Sequence, residues 1–349
     1  MPQKNNSRSW YLKSLFLQKV KKKGGFVNSH AHFDKSHIIS YKNLKYAEET
    51  LQQKWKINNK IKKNYTWDDL TYRISLCFEK MISQGVKYCL TFVDIDSFVK
   101  LLPLQAVLHV RDKYKSKIKV LVANQTLRGV LKKEEQNYIE EAAEMVDILG
   151  GLPEYEHPYE AEHLDYIFKL AKKYNKRIHI HVDQQNSPRQ KETELLAKKT
   201  IEHGWEGKVT GIHAISLNSQ SEKEKKRVIK LIKDAGMSII VCPTAAINML
   251  QLHNETAPIH NSIAPVPQLV EAGVNVALGT DNICDIYGPF CEGNMYREAQ
   301  LLMDAVRWWQ IDKVVDIVSV NGLKALGIKW LNLNTQQKNT LEKKYSQKV

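Results

Sequence analysis

Hydrophobic and polar positions along the chain alternate between two periods. Short runs rich in β-branched residues recur, and each is followed by a longer stretch with apolar residues at helical spacing. The strand-like runs are "GFVNSHAHFD" (25–34), "YCLTFVDI" (88–95), "IKVLVANQT" (118–126) and "DILGGLP" (147–153). They continue as "RIHIHVD" (177–183), "KVTGIHAI" (208–215), "SIIVCPT" (238–244) and "VNVALGTD" (274–281). Between them, "YIFKLAKKYNK" and "RVIKLIKDAG" place Leu and Ile on one face and lysines on the other, as amphipathic helices do. "APVPQLVEAG" has proline near its start and glycine just past its end, the usual punctuation of a helix.

Strand–helix alternation predicts a parallel sheet. Eight such units over residues 25–281 predict an α/β fold, a (β/α)8 TIM barrel, which takes about 250 residues. The competing doubly wound open sheet calls for a glycine-rich first turn, and no GxGxxG follows the first strand. The expected boundaries are an N-terminal helical extension over 1–23, a barrel over 24–330 and a polar tail over 331–349. Leu12, Leu15, Phe16 and Val20 fall at helical spacing in the extension and predict a short amphipathic helix near Trp10 to Lys22, a candidate cover for exposed barrel surface.

Composition narrows the class. An apolar fraction of 43% over 349 residues supports a substantial core. No apolar run reaches the ~18 residues of a membrane span, and the Lys-rich start lacks a secretory apolar core. The five cysteines form no CxxC and no even framework, which fits a reducing cytoplasm. The net charge of +14 is spread as lysines over helix faces and both ends, without interleaved aromatics or a DNA-binding motif. It reads as a solvated surface rather than a nucleic-acid footprint.

The candidate chemistry sits at the strand ends. Barrel active sites lie at the carboxyl ends of the strands, and there the sequence places His30 and His32, Asp94, Gln125, His181 and Asp183, His213, and Asp281. Unpartnered ionisable groups are too costly to bury at one end of an apolar barrel by accident. His30 and His32 share a strand face, and His181 and Asp281 come from the fifth and eighth strands. Three imidazoles and one carboxylate suit one divalent ion, zinc or ferrous iron, which would activate a water at neutral pH. His213 stands near that water, and Asp281 can take its proton.

This set, from "GFVNSHAHFDK" through "VDID", "VANQTLRG" and "GTDNICDIYGPFCEGNM" to "NGLKALGI", resembles the amidohydrolase superfamily and its cytosine deaminase-like branch. The resemblance implies metal ligands at His30, His32, His181 and Asp281, His213 beside the metal, and a substrate-amide contact from Gln125. It implies C–N bond hydrolysis on a nitrogen heterocycle, with a small-molecule substrate. Where the cytosine deaminases carry a proton-shuttling glutamate, this chain has Gln184. That departure and "HFDKS" look more like the relatives that hydrolyse N-alkylamino-triazines. The expected catalytic groups are Asp281 as base, with electrophilic or acid help from Lys35 and His213. Gln125, Gln184 and Asn282 form an expected amide-rich substrate pocket, and Asp183 at the mouth either orients a ligand or binds substrate. No lysine ends the fourth strand, where two-metal relatives carry a bridging one.

The same groups would serve a cyclic amide or ureide hydrolase, and the missing glutamate also motivates a ligand-binding barrel that has lost turnover. Most relatives add a flanking β-sandwich, but neither 1–23 nor 331–349 reads as several strands, so the expectation is a bare barrel whose rim could be covered in a homo-oligomer. His179 is expected to be a hydrogen-bonded core histidine, and the thiols of Cys242, Cys284 and Cys291 small buried groups. Trp308 and Trp309 are expected on a helix against the barrel wall, and His37, His253 and His260 in loops.

Overall fold

The computed structural model describes residues 11–250 and 263–329. Eight strands form one parallel sheet in sequence order: β1 (Phe26–His32), β2 (Val86–Asp94), β3 (Lys119–Gln125), β4 (Ile148–Gly151), β5 (Arg177–Val182), β6 (Val209–His213), β7 (Ser238–Val241) and β8 (Asn275–Leu278). The cylinder closes where Ala31 bridges to Asp281 and the Asp281 N–H donates to the His30 carbonyl at 3.0 Å. Among the described residues every named strand belongs to this barrel.

Both faces of each strand are buried, which is why the strands read as near-continuous apolar runs. Alternate residues separate the two cores. Leu90 and Phe92 of β2 point inward with Ile148, Ile212, Ile240 and Ala277, while Cys89 and Val93 pack outward under the helices. Leu323 and Ala325 join the inner cluster from the short helix Val320–Ala325, with Leu326 just past its end, and plug the barrel floor. A Cβ at Gly322 would lie 2.7 Å from Val27 and Ser29 side-chain atoms, so this helix can seat only with glycine there.

The extension forms the helix Tyr11–Lys22. It packs on the barrel's flank, with Phe16 edge-on to Tyr296 and ion pairs from Lys19 to Asp312 (2.6 Å) and Lys23 to Asp316 (3.1 Å). Leu12, one of its four apolar positions, is left exposed. Trp308 and Trp309 lie beyond a helix that ends at Val306, because Arg307 takes a left-handed φ of 52°. Trp308 still packs against the core, but Trp309 faces solvent.

The longest excursion is the β1–β2 connection, which sends the helix Leu51–Ile61 over the C-terminal mouth. Thr50 caps it through a reciprocal box with Gln53. Leu51 and Trp55 then pack on Leu127 and Leu152 from the loops after β3 and β4. Among the described residues no helix is long and apolar enough to cross a membrane.

Candidate active site

The strand ends are held by side-chain clasps where the backbone ladder runs short. Asn28 of β1 donates to Thr280 Oγ1 at 2.9 Å and accepts the Thr280 N–H at 3.1 Å, fixing the approach to Asp281. A Cβ on Gly279 would come within 2.6 Å of the His30 carbonyl oxygen, so only glycine allows β8 this close to β1. Asp281 (φ 58°), His213 (φ 79°) and Asp183 (φ 50°) all take left-handed backbone. Such conformations cost of order 1–3 kcal/mol each and persist where surrounding structure imposes them. They turn these side chains at the ends of their strands.

His30, His32 and His181 gather over Phe92, with ring centroids 4.8, 5.6 and 5.0 Å from its ring. Asp281 Oδ1 lies 3.3 Å from His30 Nε2 and 3.2 Å from His32 Nε2, and His213 Nε2 is 3.7 Å from Asp281 Oδ2. His181 Nε2 faces His32 Nε2 at 3.4 Å, while its Nδ1 lies 3.3 Å from the Gly151 carbonyl, which suits an Nδ1–H tautomer. Burial lowers the pKa of all four histidines, to about 4 for His30 and for His213, with Asp281 opposing the shift in each. Neutral imidazoles are the ligating form.

These residues fit a divalent ion. Neither ring nitrogen of His30 nor Nδ1 of His32 has a well-formed hydrogen bond, although all are buried. The ligand atoms of His30, His32 and His181 lie within 4.8 Å of one another, with Asp281 beside them. Buried nitrogens left unpaired around one carboxylate carry a desolvation cost that a shared cation removes. Cys242 also brings its sulfur within 4.8 Å of ligand atoms on His30 and Asp281. Burial pushes that thiol well above its usual range.

Above this cluster opens a cavity. Lys35, Gln125, Gln184, His213 and Asn282 line it, so five of the expected groups come together with the ligand cluster. Lys35 Nζ donates to Asp94 Oδ1 at 2.6 Å. Burial would lower its pKa, but Asp34 and Asp94 outweigh that and hold it at about 12, a fixed ammonium. Asp94 also accepts from Asn58 Nδ2 (3.0 Å) and Lys62 Nζ (3.3 Å), so it belongs to the network beneath Lys35. Asp34 follows the two histidines but accepts the Asp94 N–H at 2.8 Å instead of facing the cavity.

Asp183 does not join the cavity. Its Oδ1 accepts the Glu192 N–H at 2.8 Å and its own N–H donates to Glu192 Oε2 at 3.1 Å, so it caps the helix Glu192–Glu202 and fixes the β5 end. The substrate contact expected of it is therefore replaced by a structural one. His179 lies lower, with Nε2 3.1 Å from the Ala325 carbonyl, as a core histidine should. His37 bonds through its backbone to Ile283, away from the cavity lining, and His253 and His260 lie outside the described residues.

Four contributors escaped the sequence reading: Phe92 under the histidines, Trp55 and Leu51 in the lid, and Tyr287 in the wall. Only the lid had a local signal, the Thr50–Gln53 spacing of a capping box.

The amidohydrolase family model matches residues 24–330. The chain belongs to the amidohydrolase family. As an amidohydrolase it is a hydrolase of C–N bonds. It is 38% identical over 271 residues to an uncharacterized protein of Haemophilus influenzae, covering 76% of this chain and 97% of that one. It is 30% identical over 281 residues to the N-isopropylammelide isopropyl amidohydrolase of Pseudomonas sp., covering 79% of this chain and 66% of that protein. The 5-methylcytosine deaminase of Klebsiella pneumoniae superposes with a TM-score of 0.79 at 25% identity, over 86% of this amidohydrolase and 74% of that chain.

Proposed function

We propose that this amidohydrolase uses one divalent ion, zinc or iron, to hydrolyse an exocyclic C–N bond of a small nitrogen heterocycle, releasing ammonia or an alkylamine. The observation that carries this reading is the convergence of four groups, His30, His32, His181 and Asp281, at the base of a cavity walled by amides. The relatives support it: one is named for an N-isopropylammelide and another for 5-methylcytosine.

His30, His32, His181 and Asp281 would hold the ion, which when bound would supply an activated water at neutral pH. Hydrolysis requires one proton to leave that water and one to reach the departing nitrogen. Asp281 is placed to accept the first, and burial keeps His213 neutral beside it, its Nε2 3.7 Å from the carboxylate, where a bridging water would link the two. Lys35 contributes charge, because an ammonium held at about 12 stays protonated at neutral pH. It stabilises negative charge developing on the ring. Gln125, Gln184 and Asn282 read the ring edge, and the Leu51–Trp55 lid excludes water.

The test is metal content after purification without oxygen, paired with ammonia and amine release from cytosine, isocytosine, pterins, hydroxytriazines and their N-alkyl derivatives. One metal per chain with turnover on one ring class is expected, lost on chelation and restored by the metal. Absence of bound metal after reconstitution with zinc and iron would overturn the reading.

A further inference from the structure

Three amide side chains line the cavity, and an amide can meet a ligand with either its carbonyl or its NH2. Which end is offered depends on what holds the other. Gln184 donates Nε2 to Glu154 Oε2 at 3.1 Å. The second oxygen of Glu154 accepts from Gln185 Nε2 and from Gln52 Nε2 (3.2 Å) of the lid helix. An ionised carboxylate only accepts, so the nitrogen of Gln184 must face Glu154. Its carbonyl oxygen is left without a hydrogen bond among the described residues, on a side chain that lines the cavity.

Asn282 repeats the arrangement in the loop after β8. Its Nδ2 donates to Asp285 Oδ2, while Asp285 Oδ1 accepts the N–H groups of Tyr287 (2.8 Å) and Gly288 (3.0 Å). With donors on both oxygens, Asp285 meets the NH2 of Asn282 and again leaves a carbonyl to the cavity. Gln125 is the contrast. It is 4% exposed, its Oε1 is buried without a partner, and no carboxylate fixes which way its amide turns.

We propose that Glu154 and Asp285 are specificity-determining positioning residues: they lock Gln184 and Asn282 as acceptors, so that the cavity selects a planar ring presenting N–H donors, in an oxo or lactam form, over a ring presenting bare nitrogens. Gln125, free to turn, adapts to whichever group the remaining edge offers. This rests on the heterocycle reading above and deepens it. A ring whose N–H is replaced by N–CH3 leaves a carbonyl facing a methyl, and sites built on such bonds reject the mismatched analogue strongly. Gln184 then takes part by accepting a hydrogen bond, a role for which an amide in place of a carboxylate is sufficient.

The experiment uses the metal-loaded full chain and calorimetric binding of uracil, cyanuric acid and lumazine, each against its fully N-methylated derivative. At least one N–H ring is expected to bind, with its methylated partner weaker by about tenfold or more. Glu154→Gln gives Gln184 a partner that can also donate, so the amide can turn, and the ratio is expected to fall to about threefold or less. Asp285→Asn should do the same. Because Asp285 is buried and its variant can fail to fold, Gln184→Met at a half-buried position supplies the second arm, with the same narrowing at unchanged thermal stability. Equal binding of parent and methylated rings, or variants that keep the full ratio, would overturn this inference and leave the hydrolase reading standing. A metal-loaded protein that binds none of the six rings would overturn this inference, while the hydrolase reading stands or falls by metal content and amine release.

Discussion

The two flanks of the barrel mouth bury charge in opposite ways. Beside β1 and β2, Asp94 sits between Lys35 and Lys62, with Asn58 as a further donor, and Lys62 also reaches Asp96. Burial alone would raise the pKa of Asp94, but the two lysines pull it well below the carboxylate range. Beside β4 and β5, Glu154 is held by amides, and Asp183 is linked with Glu192. There burial, followed by the bond to Asp183, raises Glu192 to about 10. One flank keeps its charges by pairing them; the other suppresses a charge by retaining a proton. The difference matches their tasks, since the first supplies a fixed cation to the cavity and the second supplies neutral amides.

The largest effect should come from breaking the paired flank at its centre. Asp94→Asn leaves Lys35 and Lys62 short of their shared carboxylate in a fully buried setting. Removing one partner of a buried pair costs about 3–5 kcal/mol. We expect a loss of that order in urea denaturation, together with loss of turnover. Adding Lys35→Met should recover part of the stability without recovering activity, because the stranded cation is gone but so is the charge in the cavity. If the double variant is no more stable than the single, Lys35 and Asp94 are not energetically coupled.

A smaller effect is expected at the lid. Lys62 terminates the helix Leu51–Ile61 and ties it to Asp94 and Asp96. In Lys62→Met, Asp94 keeps Lys35 and Asn58, and Asp96 keeps the N–H groups of Phe98 (2.9 Å) and Val99 (3.2 Å). The cost should therefore be about 1–3 kcal/mol, the range for a lost buried hydrogen bond. Hydrogen exchange should speed up in Leu51–Ile61 and leave Glu160–Tyr174, on the far flank, unchanged. Equal protection of the lid in both proteins would mean that Leu51 and Trp55 hold it by packing alone.

The contrast between the flanks also explains what could be read from the sequence. The barrel was legible because its strands are buried on both faces and its helices on one, so the two periods appear in the residues themselves. His30, His32 and His181 were legible because each lies in the last turn of alternation of its strand, where the fold decides direction, and His213 and Asp281 because their residue types stand at or just past a strand end. What a side chain does beyond a strand end depends on a left-handed turn or on a neighbour distant in sequence. Asp183 turned back to Glu192, and nothing in "HVDQQ" announces that. Trp309 was missed for the same reason, one left-handed residue at Arg307. Glu154 and Asp285 act only through the amides that they hold, so composition and spacing were silent about them.

The smallest effect, and the one that separates the flanks most cleanly, is a slope. Glu192 in the folded chain keeps its proton to about pH 10, whereas in the unfolded chain it loses it near its usual value of 4.5. Over that window the folded state binds the extra proton, so stability falls as pH rises. Asp94 has the opposite shift: its contribution is complete above about pH 4, the unfolded carboxylate value, and is lost only as pH falls below it. Between pH 6 and pH 7 the contribution of Asp94 is therefore flat, and Glu192 costs the wild type at most ~1.4 kcal/mol, the limit for one proton. Glu192→Gln, which has no proton to lose, should remove that decline while Asp183 still accepts the N–H of residue 192. Denaturation midpoints at the two pH values measure it directly. A variant whose stability declines as steeply as the wild type's would place the source of the slope outside the Asp183–Glu192 pair.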